Sequence, residues 1–303
     1  MEQVKNEPFQ RKILSFYRYT YIEDPKTLRD DLYRTWEQLR VLGRIYVAYE
    51  GINAQMSVPE MNWDAFLETL KLFPVLENIP LNIALEPRKS AFFKLDIRTR
   101  KKIVVDGLDE DLFRTSSPGE HLPPEKFHEL VGQKDVVVVD ARNHYECDIG
   151  HFENALLPTS KTFSKVLPEL GKKLTPVRDK KILMYCTGGI RCEKASAYLK
   201  RKGFKNVFQL QGGIVNYLNE MKRKNITPKY KGSLYVFDER MAEVTAAEKL
   251  GKCYQCGSPH SAHSNCGYIH CHGLMIQCPS CAEKLQCCCS EKCVEYRSLL
   301  KLA

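Results

Sequence analysis

Residues Cys186-Thr187-Gly188-Gly189-Ile190-Arg191-Cys192-Glu193-Lys194-Ala195-Ser196 follow directly on the apolar run Ile182-Leu183-Met184-Tyr185. This order is that of a cysteine nucleophile presented by a strand-loop-helix turn. A buried parallel strand ends at Tyr185, two glycines let the backbone curl tightly, and Glu193 to Lys202 carry helix-forming residues. Such a turn aims successive backbone N–H groups inward and adds a helix N-terminus, making an anion site centred on Cys186. There the thiol pKa falls and a thiolate or a persulfide is stabilised. Thr187, Gly188, Gly189 and Ile190 form the loop, and Arg191, five residues beyond the cysteine, closes its rim with a permanent charge. Cys192, on the first turn of the helix, is placed to act as a resolving thiol once Cys186 is oxidised or sulfurated. The alternative is a cysteine that simply packs inward, as free cysteines favour burial.

The remaining cysteines point to metal chemistry. Ten of the thirteen lie between Cys253 and Cys293, and in a reducing compartment such clustering indicates metal binding before disulfides. Cys253-x-x-Cys256 and Cys278-x-x-Cys281 are two thiolate knuckles whose spacing suits tetrahedral zinc. A structural zinc would explain how about 50 residues with few large hydrophobes stay folded. Cys266, Cys271, Cys287 and Cys293 are candidates for a second site, with His263, His270 and His272 nearby.

Lys plus Arg number 46 and Asp plus Glu 37, a net charge of +9 that suits a polyanionic partner without demanding one. Basic and aromatic residues interleave from Arg88 to Lys102. Arg88, Lys89, Lys94, Arg98, Arg100, Lys101 and Lys102 are candidates to neutralise phosphates while exposed rings stack bases, as in recognition of single-stranded RNA loops. An edge strand whose charges deter aggregation explains the same stretch. No run of about 18 apolar residues exists, so no membrane span is expected. The N-terminus lacks the apolar core of a secretory signal, and a cytoplasmic protein is expected.

These chemical groups need elements to position them, and the chain divides into three blocks, 1–115, 124–222 and 223–303. In the first, Arg11 to Tyr19 is an apolar strand, and Asp24 to Arg40 is a helix with Leu28, Leu32, Trp36 and Leu39 on one stripe. Gly43 to Tyr49 and Ile52 to Val58 are strands, Met61 to Leu72 a second helix, and strands lie near Leu81 to Glu86 and Leu95 to Val105. The order predicts a ferredoxin-like, acylphosphatase-type α+β sandwich, followed by a polar linker from Arg114 to Pro124. The second block alternates strands and helices and should be a doubly wound α/β domain with Cys186 at a strand's C-terminal end. The third opens with Asn225 to Asp238, expected to pack back on the second, and ends in the small Cys-rich region.

The Cys186 loop resembles that of the rhodanese family. Val136-Val137-Val138-Val139-Asp140-Ala141-Arg142, Glu146 and Gly150-His151 match its upstream strand and turn, and Phe208-Gln209-Leu210-Gln211-Gly212-Gly213-Ile214 its closing strand. Asn154 stands where the family usually has Gly, and Asn tolerates the left-handed backbone. The resemblance implies a loop that holds one sulfur atom; related phosphatases need one more residue. Asp140, Arg142, Glu146 and His151 are read as structural. Glu50-Gly51-Ile52-Asn53, Phe92-Phe93-Lys94-Leu95, the whole Cys186 to Ser196 string and the terminal cysteines together resemble a narrower family, the bacterial tRNA uridine hydroxylases. That resemblance covers nearly the whole chain. It implies a tRNA-modifying oxidoreductase, with molecular oxygen as co-substrate and Cys186 as the active-site cysteine, that converts the wobble uridine (position 34) to 5-hydroxyuridine. The electron donor is left unassigned, since no dinucleotide fingerprint is present. A persulfide-carrying sulfurtransferase is the alternative, and an RNA-binding scaffold the third reading.

Overall fold

The computed structural model describes residues 7–85, 91–108, 117–245 and 248–300. In the first block the strand β1 (Arg11–Tyr19) alternates residues into a core around Leu14 and Phe16. Helix α1 (Pro25–Gln38) starts where the Asp24 carboxylate accepts the N–H groups of Lys26 and Thr27, the usual remedy for unsatisfied first-turn donors. It buries Leu32 and Trp36, and the Trp36 indole donates to Thr69 Oγ1 at 3.1 Å.

Strands β2 (Leu42–Ala48) and β3 (Gly51–Pro59) form a hairpin. Helix α2 (Trp63–Lys71) and the short β4 (Asn82–Ile83) complete the repeat, and β5 (Leu95–Thr99) is added at the far edge, parallel to β2. The sheet order β4-β1-β3-β2-β5 is the ferredoxin-like arrangement with one extra strand. Of the strand expected over Leu81 to Glu86, Asn82 and Ile83 pair with Ser15 and Leu14 of β1 and Ala84 donates to the Ile13 carbonyl at 2.9 Å, while Glu86 lies outside the described residues.

The second block has a four-stranded parallel sheet in the order β6 (Glu120–Leu122), β10 (Val207–Leu210), β9 (Lys181–Tyr185), β7 (Val136–Asp140). One face is covered by helices α3 (Pro124–Leu130) and α7 (Gly213–Arg223), the other by α5 (Phe163–Lys173) and α6 (Ile190–Arg201). The short α4 (His144–Cys147) begins where the Glu146 carboxylate reaches back to accept the Asn143 N–H at 3.0 Å, while the Glu146 N–H donates to the Asn143 backbone carbonyl at 3.0 Å. Asn154 adopts φ +56°, the left-handed conformation expected where the family has Gly.

The third block does not begin as a separate body. Its first strand, β11 (Tyr230–Tyr235), pairs with β8 (Gly150–Phe152) of the second block and with β12 (Ala242–Val244). Beyond it lie a hairpin of β13 (His263–Asn265) and β14 (Leu274–Ile276) and two helices, α8 (Pro279–Lys284) and α9 (Glu291–Leu300). Neither helix has a buried residue. Among the described residues no helix is long and apolar enough to cross a membrane.

Candidate active site

Cys186 leaves the C-terminal end of the central strand β9, where parallel α/β sheets place their ligands. The Gly189 N–H donates to Cys186 Sγ at 3.1 Å. Gly189 has φ +102° and caps α6, and a Cβ there would meet the Tyr17 hydroxyl at 2.8 Å, so only glycine fits. The loop's carbonyls are turned the other way: those of Cys186 and Thr187 accept from Ile214 and Val215 at 3.0 and 3.2 Å. The Gly212-Gly213 turn makes this possible, since a Cβ on Gly213 would lie 2.6 Å from both carbonyl oxygens. With the carbonyls held outward, the N–H groups face the sulfur.

Cys186 is fully buried. Burial pushes its thiol pKa up, but the Cys192 thiol, the Arg191 charge and the backbone N–H groups of Cys192 and Arg191 outweigh it and bring the pKa down to about 6. Cys192 moves the opposite way: burial, then its hydrogen bond to Cys186, hold it well above the usual range. The pair is therefore one thiolate beside one thiol that donates to it. Both sulfurs are free.

Arg191 does not close a solvent-facing rim. Its guanidinium is buried against Glu146, with Nη2 donating to Oε2 at 2.8 Å and to Thr187 Oγ1 at 3.2 Å. The physical reason is that a buried guanidinium needs a carboxylate, and α4 delivers one. Glu146 thus shapes the anion loop through Arg191, a role not visible in a residue 45 positions upstream. Arg142 pairs with Asp140 at 2.6 Å, both completely buried, one layer below.

The first block docks onto this loop. Asn82 Nδ2 donates to the Gly188 carbonyl at 3.2 Å, Tyr19 to that of Ile190 at 3.3 Å, and Tyr17 to Glu193 Oε1 at 3.0 Å. Burial, then the charges of Glu193 and Cys186, raise the Tyr17 phenol, which stays protonated as a donor. Lys194, with a fully buried side chain, reaches Glu50 at 2.7 Å and Asp106 at 2.6 Å. Glu50 also accepts the Ile103 N–H at 2.7 Å. The Glu50-Gly51 turn and the Glu193-Lys194 pair on α6 are thus the two halves of an interdomain clasp. Reading the sequence as separate blocks missed Tyr17, Tyr19, Asn82, His121, Glu193 and Lys194. The one signal for the first two was Tyr17, Tyr19 and Tyr21 at the two-residue period that lines one face of a strand.

Between the two blocks lies a cleft of about 1010 Å³. Tyr17, Tyr19, Tyr21 and Tyr49 supply rings, Arg18, Lys101, Lys102 and His121 cationic groups, and Asn82, Gln211 and Asn216 amides. Gly188 forms part of its wall; the Cys186 sulfur lies beneath, sealed from solvent. The hydrogen bond that His121 donates to the Glu193 carboxylate, opposed by burial, raises the His121 pKa.

The basic stretch splits. Arg88 and Lys89 lie outside the described residues. Lys101 is exposed and lines the cleft, while Lys102 does so with its ammonium paired to Asp106 at 2.7 Å. Lys94, Arg98 and Arg100 are exposed on or beside the edge strand β5, Arg98 paired with Asp96 and Arg100 over the Tyr46 ring. Phe92 is not a stacking platform: it is buried with Ile13 and Ala91, since an exposed ring there would forgo that apolar packing.

In the C-terminal block the sulfurs of Cys253, Cys256, Cys278 and Cys281 all lie within 4.8 Å of one another. The Cys256 to Cys278 separation is 3.7 Å, near the roughly 3.8 Å edge of a thiolate tetrahedron with metal–sulfur bonds of about 2.3 Å. The Cys278 N–H donates to Cys253 Sγ at 3.4 Å, so the donor set fits a metal. A second group comprises Cys266, Cys271, Cys289 and Cys293. The fourth member is Cys289 and not Cys287. Cys287 sits at φ +61° with its side chain exposed, while its carbonyl accepts the Gly267 N–H. This block rests on the second block through Ile276 and Tyr235 packed on Ile149 and Tyr145, the neighbour of Glu146.

Three family models match successive parts of the chain: a UPF0176 acylphosphatase like domain over residues 11–103, a Rhodanese-like domain over 123–220 and a Rhodanase C-terminal region over 231–294. A tRNA uridine(34) hydroxylase of Leptospira interrogans is 48% identical over 300 residues, covering 99% of this chain and 82% of that protein. One from Pectobacterium carotovorum is 47% identical over 290 residues, covering 95% and 82%. Among solved structures, a rhodanese-related protein from Thermoplasma volcanium is 25% identical, covering 33% of this chain and 92% of its own, with a TM-score of 0.28.

Proposed function

The chain belongs to the tRNA uridine(34) hydroxylase family, and on that premise we propose that it is a tRNA-modifying oxidoreductase that converts uridine 34 to 5-hydroxyuridine in an oxygen-dependent reaction centred on Cys186. The observation that carries this reading is a thiolate, its pKa lowered to about 6, held under the wall of a cleft lined by tyrosine rings, cationic side chains and amides. An anticodon base is unpaired and can be swung into such a cleft. Tyrosine rings there stack the base, lysine and arginine meet its phosphates, and the amides read the uracil edge.

The chemistry has a balance to respect. Placing one atom of O2 at C5 with loss of the C5 hydrogen leaves the other atom to leave as water, which consumes two electrons and two protons from a reductant. Cys186 contributes either by adding to C6 of the ring, which makes C5 nucleophilic, or as a persulfide that handles the oxidant. Because the sulfur is sealed, the first route needs the loop and the first-block residues docked on it to part. The second needs less movement, since an added sulfur projects about 2 Å beyond Sγ. In the first route the loop N–H groups stabilise the attacking thiolate and take it back when C6 releases it; in the second, with the outer sulfur supplied by a sulfane-sulfur donor, they hold the negative persulfide, and Cys192 is the thiol in place to resolve it by attack on Cys186 Sγ, forming a disulfide and releasing hydrosulfide.

Zinc bound by Cys253, Cys256, Cys278 and Cys281 would supply structure, not reaction chemistry, because four protein thiolates leave no open position.

The test is nucleoside mass spectrometry of tRNA from cells lacking the protein, complemented with wild type or Cys186→Ala. Restoration of 5-hydroxyuridine by wild type alone is the expected result. Full hydroxylation with Cys186→Ala sinks both routes. Unchanged hydroxylation in the cells lacking the protein, with reduced thiolated nucleosides, gives the sulfurtransferase reading instead.

A further inference from the structure

The second thiol cluster carries an inference independent of the reaction. Its Cys271 to Cys289 and Cys289 to Cys293 separations are 3.6 and 3.5 Å. Disulfide sulfurs lie about 2.05 Å apart, whereas these distances approach the edge of a thiolate tetrahedron of about 3.8 Å. The internal contact of the first cluster is also repeated. In the first, the third cysteine along the chain donates its N–H to the sulfur of the first, Cys278 to Cys253 at 3.4 Å; in the second, Cys289 does so to Cys266, again at 3.4 Å. Such a bond satisfies a thiolate lone pair without competing for the metal.

The order of the pairs is the more telling feature. Cys253 and Cys256 serve the first cluster, Cys266 and Cys271 the second, Cys278 and Cys281 the first, and Cys289 and Cys293 the second. The chain therefore crosses between clusters three times. The strand β13 runs into Cys266 and its partner β14 leads into Cys278, so the only hairpin of the region ties one cluster to the other. The region also lacks a core of its own. Beyond cysteines, its buried apolar residues are Met275 and Ile276, and α8 and α9 bury nothing. So little apolar burial cannot offset the entropy of ordering some forty residues.

We propose that Cys266, Cys271, Cys289 and Cys293 bind a second zinc ion, and that the interleaved ligands make 253–293 one metal-dependent unit with two ions. Binding is an exchange without redox change: four S–H bonds break and four S–Zn bonds form, with four protons released per ion. Closed thiolate coordination of this kind stabilises structure.

The experiment uses the full chain purified under reducing conditions without chelator, with zinc counted by mass spectrometry and thiols mapped by timed alkylation. Two ions per chain are expected, with Cys266, Cys271, Cys289 and Cys293 protected while the exposed Cys287 reacts at once. Cobalt(II) titration of metal-free protein should give thiolate charge-transfer absorption that ends at two equivalents. One zinc per chain with those four cysteines alkylated as fast as Cys287, or a cobalt endpoint at one equivalent, overturns the second site. In Cys271→Ser, alkylation of Cys253, Cys256, Cys278 and Cys281 should accelerate about tenfold or more. Unchanged protection there overturns the single-unit claim.

Discussion

Cys186 and Cys253 are both buried sulfurs that accept backbone N–H groups, Cys186 from Gly189 at 3.1 Å among others and Cys253 from Cys278 at 3.4 Å among others. Around Cys186 stand a single thiol and a guanidinium, so one negative sulfur is stabilised by the protein alone. Around Cys253 stand three more sulfurs, and four thiolates so close repel one another unless a cation sits among them. The difference lies in what surrounds the thiolate: inward N–H groups and one fixed charge suit a lone nucleophile, and crowding suits a ligand set. The first arrangement is built on a packed sheet, the second on a region with almost no apolar core.

The widest separation between the two regions should come from chelation. Structural zinc contributes about 10–16 kcal/mol to small zinc-binding peptides, so metal removal is expected to abolish amide-exchange protection across 253–293 while 190–201 stays protected. Protection retained in both regions would show that the C-terminal block folds without metal and dissolve the contrast.

Next in size is Glu146→Gln, which strands the buried Arg191 charge. A loss of about 3–5 kcal/mol is expected, read as a lower denaturant midpoint at unchanged m. A loss below about 1 kcal/mol would mean that Arg191 finds water instead, as surface pairs do.

Cys192→Ala should leave the fold intact and act on the thiolate. In wild type, Cys186 alkylation should rise with pH around a midpoint near 6; in the variant the midpoint should move up, because the donor thiol is gone. The sign for stability follows from the lowered pKa: the contribution of Cys186 is complete above its usual value of 9.0 and is lost as pH falls through about 6. A midpoint unmoved by the substitution would give Arg191 and the backbone the whole effect.

The smallest effect concerns the cleft. His121 is raised by its bond to Glu193, so its positive charge, and with it affinity for tRNA, should decline as pH rises through that raised pKa. His121→Gln should flatten the decline in a binding titration. An identical slope in both proteins would remove His121 from the recognition surface.

Much of the architecture was legible before any coordinates. The alternation of Arg11 to Tyr19, the stripe of Leu28, Leu32, Trp36 and Leu39, and the strand-glycine-helix order around Cys186 each report on neighbours only a few residues apart, which is the range over which sequence period and backbone geometry are locked together. The Cys-x-x-Cys knuckles are local for the same reason. Partners far apart along the chain left no such trace. Glu146 and Arg191 are 45 positions apart, and Tyr17 and Glu193 are 176.

By itself, then, the sequence determined the thiolate loop, the order of elements in the three blocks and the presence of metal-type cysteine pairs, because each follows from spacing within one turn or strand. Only the tertiary structure decided that the first block seals the loop through Tyr17 and Asn82, that Arg191 turns inward to Glu146, and that Cys289 rather than Cys287 completes the second cluster. Those outcomes depend on which surfaces meet. A surface is assembled from residues the chain brings together only when burial of its apolar faces and pairing of its buried charges are satisfied at once.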